Sequence, residues 1–167
     1  HIGGDEVRYK KYWEGVPHIE AFMKKKGIKT FPDLQIMFTN RISGMLAERG
    51  RRMMGWNEIL GSDVHNDGGR GAALGKLDAS AIIHFWYGSD KIAAKAIREG
   101  RQVVNSTSHM TYINKGYDKL PLSKSYSFEP VFAGLNPEQQ KNVIGLGCQV
   151  WTEWIADVEK LHRHVFP

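Results

Sequence analysis

Two carboxylates stand side by side at Asp5-Glu6, directly after Gly3-Gly4. Adjacent carboxylates repel each other once desolvated, so at least one of the pair is expected to have a raised pKa. A raised carboxyl is usable as a general acid near neutral pH. Successive strand residues point to opposite faces, so aiming both groups at one ligand requires a bend. Gly3-Gly4 permits the unusual backbone angles that such a bend needs. On spacing alone the segment reads first as an ordinary turn.

Aromatic residues form a second set. Trp56 follows Met53-Met54-Gly55, Trp86-Tyr87 follows Ile82-Ile83-His84-Phe85, and Trp151 follows Gly147-Cys148-Gln149-Val150. Each preceding run reads as a short strand, so three indoles sit at three strand ends. A single Trp in that place reads as a cap on the core, since Trp is highly buried on average. Three at equivalent positions read as the walls of one pocket, and flat aromatic walls suit the apolar faces of a sugar ring. Asn57-Glu58 and Thr152-Glu153 follow two of the indoles. Amide and carboxylate groups there suit hydroxyl recognition. A Glu after a strand also serves as the acidic residue of a helix N-terminus.

The elements between must hold these groups in place. Pro17 at a first helical position, Ile19, Phe22 and Met23 on one face, and Gly27 as a stop predict a helix over 17–26. Thr30 with Asp33, Pro32, and the spacing of Phe31, Leu34, Phe38, Ile42 and Met45 predict a longer helix over 31–49. Residues 51–56, 80–86, 102–105 and 143–151 read as strands. Ser89 or Asp90 caps a helix carrying Ile92, Ala93, Ala96 and Ile97, and Asn136-Pro137-Glu138 starts a short one. Residues 61–76, with Asn66-Asp67-Gly68-Gly69, and residues 106–135 read as loops. Strands alternating with helices predict an α/β fold with a parallel sheet. In that class, catalytic residues gather where strands end and loops begin.

Composition narrows the reading. The chain has 167 residues, 41% hydrophobic and 25% charged, values that exclude a disordered tail, a collagen or a coiled coil. No apolar run is long enough for a transmembrane span. Cys148 is the only cysteine, so neither an intrachain disulfide nor a cysteine zinc site is possible. His84, His109, His162 and His164 read as structural, and no metal or cofactor is expected. The net charge of +5 is concentrated in Lys24-Lys25-Lys26 and Arg49-Gly50-Arg51-Arg52. Both runs follow predicted helices, where the macrodipole favours cations, and they do not line up with the aromatics. No nucleic-acid partner is therefore expected. The opening residues lack the pattern of a signal peptide. A first residue His1 and a final Val165-Phe166-Pro167 are what a piece of a longer or processed chain would show.

Several of these segments resemble one known family. His1-Ile2-Gly3-Gly4-Asp5-Glu6 looks like the signature of family 20 glycoside hydrolases, the β-N-acetylhexosaminidases. Met54-Gly55-Trp56-Asn57-Glu58 resembles the family's Gly-Trp-Asp/Asn-Glu segment, and Trp86 its next strand-end tryptophan. Tyr112 resembles the Tyr of a Tyr-Leu-Asp segment, and Gln149-Val150-Trp151-Thr152-Glu153 resembles a Trp-Thr-Glu segment. Order and approximate spacing agree along nearly the whole chain. One departure stands out: where the family has Asp, this sequence has Asn114. Asn can donate and accept but carries no charge, which bears on recognition of the sugar's 6-hydroxyl.

The resemblance implies a (β/α)8 TIM barrel of which residues 1–167 are the C-terminal half, about strands 4–8. It implies hydrolysis of terminal β-linked GlcNAc or GalNAc with retention, the substrate's own acetamido oxygen acting as nucleophile. That is an exception to the scheme in which two enzyme carboxylates do the work. Glu6 would be the general acid and base, and Asp5 would hold the acetamido N–H. Tyr112 would orient the acetamido oxygen, while Trp56, Trp86 and Trp151 enclose the group. Asn114 and Glu153 would bind hydroxyls. The expected partners are N-acetylhexosamine-terminated glycans, in an extracytoplasmic compartment, with the missing half-barrel or self-association completing the site. The competing expectation is a non-catalytic sugar-binding or interaction fragment.

Overall fold

The computed structural model describes residues 1–62, 64–65 and 71–167. The Asn66-Asp67-Gly68-Gly69 turn lies outside the described residues. Two short helices and one long one come first: α1 (Tyr9–Tyr12), α2 (Pro17–Lys26) and α3 (Phe31–Ala47). Pro17 opens α2, and Gly27 closes it in the left-handed conformation at φ 67°. The lysines 24–26 fall in its last turn, as the helix-end reading requires. Thr30 caps α3 by accepting from the Asp33 N–H at 3.1 Å. That helix stops at Ala47, two residues before the predicted end, and Arg49 folds back onto the Met45 carbonyl at 2.9 Å. Arg52 bridges two strand ends, donating to the Ser80 carbonyl and to Gln102 Oε1.

Four parallel strands form one sheet in the order β1-β2-β3-β4: Met54–Trp56, Ile82–Phe85, Val103–Asn105 and Val143–Leu146. A short 3-10 turn, Asn57–Leu60, follows β1, and α4 (Asp90–Arg98), capped by Ser89, links β2 to β3. Alternation divides the strands into two faces. Ile83, Phe85 and Val103 are fully buried and share one core cluster with Ala93, Ala96 and Ile97 of α4. His84 and Trp56 are register partners on the opposite face. Residues 2–3 run beside β1, with the Ile2 N–H donating to the Met54 carbonyl and the Trp56 N–H to the Gly3 carbonyl, both at 2.9 Å.

Two expectations change. The stretch 106–135 is not one loop, since it contains α5 (Ser108–Thr111) and α6 (Leu122–Tyr126). The last strand ends at Leu146, well short of Trp151. The Gly147 N–H still reaches the Asn105 carbonyl at 3.1 Å, but β3 ends there. Gln149 then bridges Tyr112 instead, and exposed Cys148 lies between. A capping box on Asn136 and Gln139 starts α7 (Pro137–Gln140) as expected. Finally, α8 (Val158–Val165), begun by an Asp157 cap, follows a 3-10 turn at Thr152–Trp154.

Candidate active site

The Asp5-Glu6 turn is built from both sides. Gly3 at φ 72° and Gly4 at φ 91° make the bend that the two carboxylates need. A side chain at Gly4 would place its Cβ 2.4 Å from Ile59 Cγ2, so the backbone packs directly on the turn after β1. The Gly4 carbonyl accepts from Gln35 Nε2 of α3 at 2.7 Å, and Tyr9 holds Gln35 in turn. Glu6 itself takes φ 50°, a conformation that costs a non-glycine residue free energy. Its carboxylate pairs with Arg8 at 3.2 Å on the exposed side. Asp5 is accessible as a residue, yet the protein crowding its carboxyl pushes its pKa up, and the neighbouring Glu6 charge adds to the rise.

The aromatic residues predicted at strand ends converge. Trp56, 9% exposed, lies 6.3 Å from Trp86 and 6.4 Å from Trp151, measured between ring centroids. Tyr112 stacks on Trp86 at 5.9 Å and meets Trp151 edge-on at 6.2 Å. The four rings therefore form a closed circuit. Trp151 is 42% exposed and forms the accessible side. Its side chain hydrogen-bonds Tyr112, whose phenol is pushed up to about 12, mainly by burial and further by the charges of Asp5, Glu58 and Glu6. The segment that carries both carboxylates is tied to the ring circuit through its backbone, where the Gly3 carbonyl accepts the Trp56 backbone N–H at 2.9 Å.

Polar groups fix the walls. Asn57 Oδ1 accepts the Trp86 backbone N–H at 3.1 Å, and its Nδ2 donates to the Tyr87 carbonyl at 3.1 Å. Glu58 is buried beside Trp86 and is reached by His65 Nε2 at 3.1 Å. Asn114, 3% exposed, has an Oδ1 without a hydrogen-bond partner among the described residues. Glu153 stands exposed on the Thr152–Trp154 turn, and no contact ties it to the rings among the described residues.

Two histidines pack against the site: His1, which opens the His-Ile-Gly-Gly-Asp-Glu motif, and His84, which the sequence reads as structural. His1 meets Trp56 edge-on at 4.9 Å, and His84 stacks on the same indole at 4.2 Å. The available signal was a polar residue in an otherwise apolar strand, Ile82-Ile83-His84-Phe85, on the face it shares with Trp56. Glu58 was visible only as a group beside Trp56. Among the described residues, no cluster of three or more His, Cys, Asp or Glu side chains is placed to hold a metal ion.

Comparison with known proteins decides the family. The model of "Glycosyl hydrolase family 20, catalytic domain" matches residues 1–167. The chain belongs to glycosyl hydrolase family 20. A beta-hexosaminidase of Vibrio furnissii is 25% identical over 182 residues, covering 100% of this chain and 27% of the relative. The human beta-hexosaminidase subunit beta is 26% identical over 171 residues, again across the whole chain and 28% of that protein. Among solved structures, the family 20 chitobiase of Flavobacterium johnsoniae superposes with a TM-score of 0.78 at 31% identity, covering 100% of this chain and 24% of that one. An exo-β-N-acetylglucosaminidase of Vibrio harveyi, solved with N-acetylglucosamine, gives 0.75 at 27% identity over 100% of this chain and 26% of that one. The family 20 chain thus spans about a quarter of the length of the curated relatives it matches.

Proposed function

We propose that residues 1–167 carry the acid/base and acetamido-binding side of an exo-β-N-acetylhexosaminidase. The observation that supports this reading is that the segment bearing Asp5 and Glu6 is joined to the circuit of Trp56, Trp86, Tyr112 and Trp151 at Trp56, whose backbone N–H donates to the Gly3 carbonyl and whose indole meets His1. In this reading Glu6 protonates the glycosidic oxygen and later activates water. Asp5 holds the acetamido N–H and opposes the positive charge that grows on that group. The Tyr112 hydroxyl, hydrogen-bonded to the Trp151 side chain, donates to the acetamido oxygen. The indoles close the pocket, so the internal nucleophile is oriented before it attacks. Well-aligned intramolecular groups reach effective molarities of about 10⁵–10⁸ M. Asn114, with an open acceptor, and Glu153, on the accessible rim, are assigned to hydroxyl groups of the sugar.

The parallel order of β1 to β4, with residues 2–3 alongside β1, supports placing the chain at about strands 4–8 of a (β/α)8 barrel. Upstream strands would then complete the closed end of the pocket. The substrates are N-acetylhexosamine-terminated glycans, met in an extracytoplasmic compartment. Among the described residues, no helix is long and apolar enough to cross a membrane.

The test is hydrolysis of an aryl β-N-acetylglucosaminide by the full-length protein, with the plain β-glucoside as control. Turnover of the acetamido substrate alone is expected. Equal turnover of both, or sugar binding without hydrolysis, would overturn the reading in favour of ordinary glucosidase chemistry or a binding module.

A further inference from the structure

A single directed chain of hydrogen bonds runs beneath Trp56. It begins at the Gly3 N–H, which donates to His1 Nδ1 at 3.1 Å. A ring nitrogen that accepts carries no proton, so the proton of neutral His1 sits on Nε2. That nitrogen lies 3.2 Å from His84 Nδ1 and donates to it. By the same logic the His84 proton sits on Nε2, which donates to Ser106 Oγ at 2.6 Å. One backbone N–H thus fixes the tautomer of both rings. Burial draws the His84 pKa down to about 4, which keeps its ring neutral.

The chain ties together parts that are far apart in sequence. His84 stacks flat on Trp56, at 4.2 Å and 23°. His1 opens the segment that carries Asp5 and Glu6. Gly147 closes the far end, where a Cβ would come 2.4 Å from Ser106 Oγ and 3.2 Å from His84 Nε2.

We propose that His84 is a positioning residue: between His1 and Ser106 it fixes the plane of the Trp56 wall and, through His1, the turn bearing Asp5 and Glu6. The inference rests on the hexosaminidase reading of that site. His84→Phe keeps a flat ring against Trp56 but removes both hydrogen bonds. His84→Gln keeps a donor and an acceptor but gives up the aromatic face.

The experiment measures kcat and KM of the full-length protein and both variants on aryl β-glucosaminides bearing an N-acetyl or an N-propionyl group. His84→Phe is expected to lower kcat about tenfold while keeping the preference for N-acetyl. His84→Gln is expected to narrow that preference about tenfold, because a loosened wall admits the longer acyl chain. Wild-type values in both variants, or losses that only follow the fraction folded in thermal melts, would overturn the inference. If the wild type hydrolyses neither substrate, the hexosaminidase reading fails instead. Near-ultraviolet circular dichroism then decides the positioning role separately. The indole band lost in Trp56→Phe should be altered in His84→Gln, and an unaltered band would overturn it.

Discussion

The Trp86 indole N–H donates to both carboxylate oxygens of Glu58, at 3.1 and 3.0 Å. A buried acid, with His65 on one of its oxygens, therefore sets the plane of one wall of the ring circuit. The arrangement is costly for the charged form, since burial raises the Glu58 pKa above its ordinary 4.5 even though the Trp86 and His65 bonds oppose the rise.

A pH-dependent stability difference follows for Glu58→Gln. With the folded pKa raised, stability from this carboxyl is fully present below the unfolded value and is lost as pH rises through the folded one. Gln does not titrate and still offers an oxygen to Trp86. The stability of the variant relative to wild type is therefore expected to increase from pH 4 towards pH 7. Urea unfolding at several pH values checks this, and parallel curves would contradict it.

Removing the proposed acid in Glu6→Gln is expected to lower kcat by about 10²–10⁴-fold on a substrate with a poor leaving group. A dinitrophenyl leaving group needs little protonation, so its cleavage should suffer much less. Kinetics on the two substrates make the comparison, and an equal loss on both would remove Glu6 from the acid role.

Tyr112→Phe removes the hydroxyl that hydrogen-bonds Trp151 and that is assigned to the acetamido oxygen. A single donor of this kind contributes about 10²–10³-fold to kcat. The expected outcome is a loss of that size with KM changed far less. A rise in KM alone would make the residue a plain binding contact.

Backbone packing behind the carboxylates is tested by Gly4→Ala. The new Cβ meets Ile59 Cγ2 at 2.4 Å, and φ 91° is strained for any residue but glycine. Destabilisation of about 1–3 kcal/mol is expected from the overlap. Thermal melts of the full-length protein measure it, and an unchanged melt would show that the turn can shift freely.

Much of this arrangement was legible in the sequence where one local signal sufficed. The Thr30 and Asn136 caps, Pro17 and Gly27 each place a helix end through a bond or angle made within a few residues. Pairing signals were weaker. Strand β4 was read through to Trp151, but its length is set by where β3 ends at Asn105, a fact absent from its own residues. Helix α8 carries legible signals, an Asp157 cap and Val158, Leu161 and Val165 at helical spacing, but at eight residues it is too short for that pattern to stand out, and none of its residues is buried. The indoles were found by type and position. The histidines beneath Trp56 were not, because a lone His in a strand looks the same whether it fills space or carries a hydrogen-bonded chain. What distinguishes His84 is its register partner Trp56 and the distant His1 and Ser106, which only the fold brings together.

Cys148, the sole and exposed cysteine, sits one residue before Gln149 and three before Trp151. Gln149 bridges Tyr112, so the thiol rides on the segment that joins two members of the ring circuit. Within residues 1–167 a maleimide fluorophore would attach at this one position. The segment thus offers a chemical handle on the α6–α8 side, in the cavity lined by Tyr117, Leu120 and His164, from which movement of the strand end that carries Trp151 can be followed optically without any turnover.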